Sequence, residues 1–159
     1  MKPACEKSAG ASRIREFREG DFNRLWTIDQ ACFDRDLAYS QAELRFYMRL
    51  PGAFTLVVDA DEDIVGFVVA RAMRNRVGHI ITIDVLADAR RSGTGSLLLQ
   101  AAEDSLLQAD CHNVTLETAV DNVGAITFYQ RHHYSIVRTL RDYYSNGLDA
   151  LVMQKTLSK

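Results

Sequence analysis

The chain lacks any apolar run long enough to cross a bilayer. Its longest stretches, such as Ile64 to Ala70 interrupted only by Gly66, fall well short of the roughly 20 residues a transmembrane helix needs. It is poor in cysteine as well. Cys5, Cys32 and Cys111 are odd in number and widely spaced, which argues against a disulfide framework and for a reducing compartment. With no CxxC pair, nothing suggests zinc. An excess of one charge is also missing: 19 Lys plus Arg against 21 Asp plus Glu leave a net charge of -2, where a duplex DNA binder relying on phosphate contacts is usually more basic. The opening residues MKPACEKSAGAS contain no apolar h-region, so residues 1–11 read as a polar tail rather than a signal peptide. Together these absences predict a cytoplasmic protein with no membrane association and no direct nucleic-acid partner.

What is present is enough for one core. At 159 residues and 47% hydrophobic, the chain has room for a single domain over residues 12–159. Arg13 to Arg18 alternates at period two and predicts a strand, and Glu19-Gly20-Asp21 then offers a turn and an N-cap. Apolar positions Phe22, Leu25, Trp26, Ile28, Ala31 and Phe33 recur at three and four residues, and Ser40-Gln41-Ala42-Glu43 is a near capping box opening a second helix. Pro51-Gly52 ends that helix. Phe54 to Val58 and Ile64 to Ala72 predict a hairpin around the solvated turn Asp59 to Asp63, with His79 to Leu86 as the next strand. A helix carrying Leu98, Ala102 and Leu106 on one face, a strand from Val114 to Ala119 and a helix from Val123 to Arg131 follow. Tyr134 to Leu140 and Ala150 to Met153 close the series. The order β-α-α-β-β-β-α-β-α-β-β, with two prolines and no internal repeat, suits an α/β fold built on a mixed, mostly antiparallel sheet with helices on both faces.

The sharpest change of texture is Ala89-Arg90-Arg91-Ser92-Gly93-Thr94-Gly95-Ser96, where a β-branched run turns into a helix. A glycine turn at a helix N-terminus suits an anionic phosphate, because backbone N–H groups and the helix dipole converge there. A Rossmann fingerprint would need a third glycine where Leu98 stands, and a Walker A loop would need a Gly-Lys-Ser or Gly-Lys-Thr that is absent. Taken alone, Gly93-Thr94-Gly95 is equally a turn whose glycines only relieve strain.

Arg90-Arg91-Ser92-Gly93-Thr94-Gly95 resembles the R/Q-x-x-G-x-G/A pyrophosphate loop of the GNAT superfamily of N-acetyltransferases, and it follows the fourth expected strand. The resemblance extends to Leu116-Glu117, Asn122, Ala125, Ile126, Phe128 and Tyr129, which are similar to a block of the ribosomal-protein-alanine branch. Ala31-Cys32-Phe33, Tyr143-Tyr144, Asp149-Ala150 and Met153 also look like that branch, so the likeness spans about residues 12–156. Three positions depart from it: Ala87 replaces a proline before the loop, Thr94 a bulky apolar residue, and His133-Tyr134 a Gly-Phe.

The resemblance implies a GNAT fold and acetyl-CoA as co-substrate. The backbone from Arg91 to Ser96, through Ser92, Gly93, Thr94 and Gly95, would cradle the pyrophosphate, with Arg90 and Arg91 adding positive charge. The pantetheine arm would pair with the strand edge at Ile83, Asp84 and Val85, and the Val85 N–H would face the thioester oxygen as charge develops. Asn122 would touch that arm or cap the last helix. Amide formation needs a neutral amine and a protonated leaving sulfur. Glu117 matches the family position for the base and Tyr129 that for the acid, with His79, on the strand from which other branches draw their base, as the alternative to Glu117. By spacing alone, Glu117 is equally a solvent-facing strand residue and Tyr129 a core ring. One of Tyr143 and Tyr144 reads as a sheet aromatic, the other as a wall of the acceptor groove. Cys111, His112, His132 and His133 lack a ligand spacing, so no metal is expected.

The implied reaction is acetyl transfer to a primary amine, with a protein N-terminus, narrowed to the alanine of a ribosomal protein, as acceptor and partner. A small amine (polyamine, amino acid or antibiotic) and a non-catalytic acyl-CoA sensor remain alternatives. Retention of both Glu117 and Tyr129 speaks against the sensor.

Overall fold

A computed structural model describes residues 12–158. The polar tail expected at residues 1–11 lies outside the described residues. The chain enters through strand β1 (Arg13–Glu16) and a helical turn, then runs through helices α1 (Phe22–Cys32) and α2 (Gln41–Met48). Strands β2 (Ala53–Ala60), β3 (Asp63–Ala72) and β4 (Val77–Val85) follow, then helix α3 (Thr94–Gln108), strand β5 (Asn113–Ala119), helix α4 (Val123–Arg131), and strands β6 (Ser135–Leu140) and β7 (Ala150–Thr156). The element order is the one expected.

Local chemistry accounts for most boundaries. Ser40 Oγ accepts the Glu43 N–H at 3.1 Å, so the capping residue ahead of α2 acts as the sequence suggests. Asp61 and Glu62 both sit at positive φ, 51° and 65°, as a two-residue hairpin of mirror-image type requires. Asp21 differs from expectation. It precedes α1 without a capping bond from its side chain, because both carboxylate oxygens are held by the Arg15 guanidinium at 2.8 and 3.0 Å. A charge-assisted fork outweighs a single cap bond.

The seven strands lie in the order β1-β2-β3-β4-β5-β7-β6, with β4 and β5 parallel and every other neighbour antiparallel. Alternation along the strands feeds two cores. Phe67, Val57 and Val69 pack beneath α1 and α2 with Leu25, Ile28 and Leu44. Val58, Val68, Ile80, Val114, Leu116 and Met153 pack on the other face with Leu98, Leu99, Ala102, Leu106 and Tyr129.

One polar cluster is built into the second core. Glu103 on α3 is 4% exposed; it accepts the Tyr134 hydroxyl at 2.9 Å and receives Lys155 Nζ on both oxygens at 3.0 Å. Replacing Glu103 by Ala strands a buried phenol and an ammonium together, so a loss of about 3 kcal/mol in urea unfolding is expected. Tyr134→Phe, which leaves the ion pair intact, should cost only about 1 kcal/mol.

The feature that makes a site is a failure of pairing. The strands β4 and β5 bond only over Val77–His79 against Asn113–Thr115, while β4 follows β3 to Val85 and β5 follows β7 to Ala119. Beyond His79 the two strands therefore diverge. A bulge helps them part: Val69 pairs with Thr82 and Ala70 with Ile80, leaving Ile81 without a partner.

Candidate active site

The wedge between β4 and β5 opens into a cavity of about 660 Å³. Its floor is the free edge of β4. Val85 lies opposite Gly66, and the Leu86 N–H bonds the Val65 carbonyl at 2.9 Å, so Gly66 and Val85 form a non-hydrogen-bonded pair. The Val85 N–H and C=O consequently turn away from β3 and toward the wedge, and by alternation so do those of Ile83, opposite Val68. Asp84 departs from the expected cofactor-binding set. Between these two residues it spends its backbone on β3, and its carboxyl is buried at 1% exposure. Period two allows Ile83 and Val85, and not their neighbour, to offer main-chain groups to a ligand.

After β4 the chain makes a single helical turn at Ala87–Ala89 and reaches the glycine loop. Gly93 is the N-cap residue of α3, at φ 84°, and no side chain caps the helix. The left-handed conformation explains the glycine, and the uncapped first turn leaves its N–H groups, from Thr94 to Ser96, without helical acceptors. Arg90, Arg91, Gly93, Gly95 and Ser96 line the cavity beside this turn. Ser92 and Thr94 place their hydroxyls 3.0 Å apart; Thr94 is 3% exposed, while Ser92 is exposed and also donates to the Ala89 carbonyl. Arg90 also ties the loop to the end of β4, its Nε donating to the Val85 carbonyl at 2.9 Å. An uncapped helix N-terminus beside an unpaired strand edge fits a ligand with an anionic head and an amide-bearing arm.

Glu117 and Tyr129 both line the cavity. Leu116 packs with α3 and α4, so Glu117 points to the α1 side, and there its Oε2 lies 2.6 Å from His79 Nε2. The residues that stood as alternatives for one role are thus a hydrogen-bonded pair. They meet at the point where β4 and β5 begin to part, both about one-fifth exposed. Tyr129 enters from α4 on the opposite side, its ring edge-on to Phe128 and Tyr134 at 5.2 and 5.6 Å. Burial pushes its phenol well above the ordinary ionisation range, so it keeps its proton at neutral pH. Asn122 Oδ1 accepts the Ala125 N–H at 3.1 Å and caps α4, while the residue also lines the cavity.

The α1 side of the cavity is walled by Cys32, Phe33, Leu37 and Tyr39, and the far side by Tyr144. Neither Tyr143 nor Tyr144 lies in the sheet, since both follow the end of β6; Tyr144, pushed to about 12 by burial and its neighbour Tyr143, faces the cavity, and Tyr143 is exposed. The Ser145 hydroxyl donates to the Asp36 carbonyl at 3.1 Å and joins the two walls. Sequence reasoning passed over Tyr39 and the acid Asp29, which is fully buried in α1. A signal was available. Asp29 falls on the apolar stripe of α1 beside Leu25, Ile28 and Cys32, and a carboxylate there is out of place unless it is bonded.

Comparison with known proteins agrees with this geometry. The acetyltransferase (GNAT) family profile matches residues 22–134. An uncharacterized N-acetyltransferase from Methanocaldococcus jannaschii is 33% identical over 143 residues, covering 89% of this chain and 90% of that protein. An N-alpha-acetyltransferase from Sulfurisphaera tokodaii is 29% identical over 99% of this chain and 100% of its own length. Among solved structures, Ard1 from Thermoplasma volcanium superposes with a TM-score of 0.85 at 28% identity, covering 94% of this chain and 99% of that one. The split sheet, the uncapped glycine loop and these likenesses lead to one assignment: the chain belongs to the GNAT family and is an acetyl-CoA-dependent N-acetyltransferase.

Proposed function

We propose that the protein acetylates the α-amino group of protein N-termini in the cytoplasm, with a ribosomal protein beginning in alanine as its narrowest acceptor. The observation that carries this is the His79–Glu117 pair at the fork of β4 and β5, whose Glu117 lines the same cavity as Tyr129. An α-amino group titrates near ~7.7–8.0 and lysine near ~10.4, so a carboxylate–imidazole pair suits the former. The N-alpha-acetyltransferase from Sulfurisphaera tokodaii, which matches along almost the whole chain, supports the same acceptor. No helix among the described residues is long and apolar enough to cross a membrane.

The residues divide the work. Loop amides from Arg91 to Ser96 hold the pyrophosphate, and Ile83 and Val85 pair with the amides of the arm. The His79–Glu117 pair removes the proton that the amine loses as its nitrogen bonds to the acetyl carbon. The Val85 N–H stabilises negative charge on the acetyl oxygen. Tyr129 gives its proton to the sulfur as the carbon–sulfur bond breaks. Amide and free thiol leave, and the phenolate regains a proton from solvent or from the base.

Gly95 tests the placement of the pyrophosphate. A Cβ at this position would stand 3.4 Å from the Phe128 ring, an ordinary contact, so a valine can be accommodated while adding bulk to the first turn of α3, where a phosphate would approach the backbone. Gly95→Val is expected to weaken coenzyme A binding by about tenfold or more, ~1.4 kcal/mol in calorimetry, in a protein whose circular dichroism is retained. Unchanged affinity in the folded variant removes the pyrophosphate from this loop. The acceptor is tested by mass spectrometry of a panel of peptides, an alanine-initiated ribosomal N-terminus among them, and small amines incubated with acetyl-CoA. Peptide α-acetylation is expected. Turnover of small amines alone contradicts the reading, and no turnover favours a sensor.

A further inference from the structure

Two carboxyl groups the reaction does not use lie under the acceptor side of the cavity. Asp29 in α1 and Asp84 in β4 are 0% and 1% exposed. Each has one oxygen occupied: Asp29 Oδ2 accepts the Tyr39 N–H at 2.7 Å, and Asp84 Oδ1 accepts the Thr82 hydroxyl. The other two, Asp29 Oδ1 and Asp84 Oδ2, are buried with no donor among the described residues, and each carboxyl lies close enough to the other to shift its ionisation. Two bare carboxylates in a dry core would repel strongly, and each would lack a donor. One proton between them removes both faults, as in other close acid pairs.

What the pair holds is a wall of the cavity. Residues 33–40 carry Phe33, Leu37 and Tyr39 along the acceptor side. The Tyr39 peptide is gripped from both ends: its N–H by Asp29, its carbonyl by Trp26 Nε1 at 3.1 Å and Gln30 Nε2 at 2.7 Å. Asp84 stands between Ile83 and Val85, whose backbones face the cavity. A bond between Asp29 and Asp84 therefore joins the segment that contacts the acceptor to the strand that presents the reacting edge.

We propose that Asp29 and Asp84 share a single proton which clamps the 33–40 segment to β4, making the pair a positioning device for the acceptor amine. It rests on the N-terminal acetyltransferase reading above. Loss of that proton at high pH puts two like charges in contact and releases the wall. The other groups facing the pair are Tyr39, Cys32 on α1, Glu43 on α2, Arg90 after β4 and Tyr129 on α4. Burial holds both carboxyls above the usual range, and for Asp84 the neighbouring Asp29 adds to it, which favours the protonated, closed clamp. Burial likewise keeps Tyr39, Tyr129 and the Cys32 thiol protonated at neutral pH, and Glu43 opposes charge on Asp29 while Arg90 favours it on Asp84.

The chain contains its own reporter, since Trp26 is its single tryptophan and bonds the Tyr39 carbonyl. Titrating Trp26 fluorescence from about pH 4 to 9.5, below most tyrosine ionisation, should show in the wild-type protein a transition beyond those of its histidines and thiols. Asp84→Asn and Asp29→Asn each replace the shared proton by an amide N–H that does not titrate, and both should lack it. In peptide acetylation, the ratio of wild-type to Asp84→Asn acceptor KM should climb by up to about tenfold per pH unit above the transition, because only the clamped fraction binds. The same ratio for acetyl-CoA should stay flat. Taking the ratio at each pH cancels titration of the amine itself. A wild-type titration with no transition that Asp84→Asn and Asp29→Asn remove overturns the clamp, as does an acceptor KM ratio flat with pH. A transition lost in the variants of a protein that acetylates no peptide would leave the clamp standing and defeat the acceptor assignment instead.

Discussion

Tyr129→Phe is expected to lower kcat by about 10²- to 10⁴-fold, the range for loss of a positioned proton donor, while acetyl-CoA affinity changes little. The phenylalanine keeps the edge-on packing against Phe128 and Tyr134. Tyr129 lines the cavity and the neighbouring buried phenol bonded to Glu103 is that of Tyr134, so removing the Tyr129 hydroxyl leaves that polar cluster intact. Melting temperature should therefore hold steady or rise slightly. A structural tyrosine would behave the other way, with kcat intact and stability lost. Because burial raises the phenol's ionisation, it stays protonated from pH 6 to 9, and no limb of the pH–rate profile in that range should disappear with it. Full kcat in Tyr129→Phe, measured by release of the free thiol, would reduce the residue to packing.

Glu117→Gln should produce the second large loss, and one that depends on pH. At pH 6 an α-amino acceptor is almost wholly ammonium, and a deficit of about 10²-fold or more is expected. As pH rises through ~8 the amine deprotonates unaided and the deficit should shrink. A lysine acceptor would show that relief only near ~10.4. The 2.6 Å contact with His79 adds a requirement absent from either residue alone. If the two act as a unit, His79→Ala costs nearly as much as Glu117→Gln, and the double variant costs little more than either. Losses that add, or a Glu117→Gln deficit constant across pH, would separate the residues and remove Glu117 from the base.

Much of this molecule was legible in one dimension. Ser40 capped where a hydroxyl three residues before a glutamate should, and the hairpin at Asp61 and Glu62 turned where acidic residues interrupt two β-branched runs. Asn122 offered a cap or a ligand contact, and its Oδ1 does cap α4. The glycine loop was legible as a helix entry because Gly93 serves a local need, a left-handed φ ahead of α3. Boundaries near Asp21 were less so. That carboxylate's partner, Arg15, reaches it from β1, and a further bond from the same guanidinium goes to Asp59 in β2, 44 positions away. A reading of caps weighs neighbours in sequence and has no access to such a competitor.

By itself the sequence determined the order of the elements and their faces, because periodicity, capping and turn preferences act over a few residues. Tertiary structure alone decided which side chains meet. His79 and Glu117 are 38 residues apart and come together because β4 and β5 are parallel neighbours for three residue pairs and then part. The phase of β4 against β3 turned Ile83 and Val85 to the open edge and sent Asp84 inward. There it found Asp29, 55 positions earlier, a partner no local rule names. Pairing between distant segments depends on register and packing of the whole sheet, and a single-residue slip would reverse every one of these orientations.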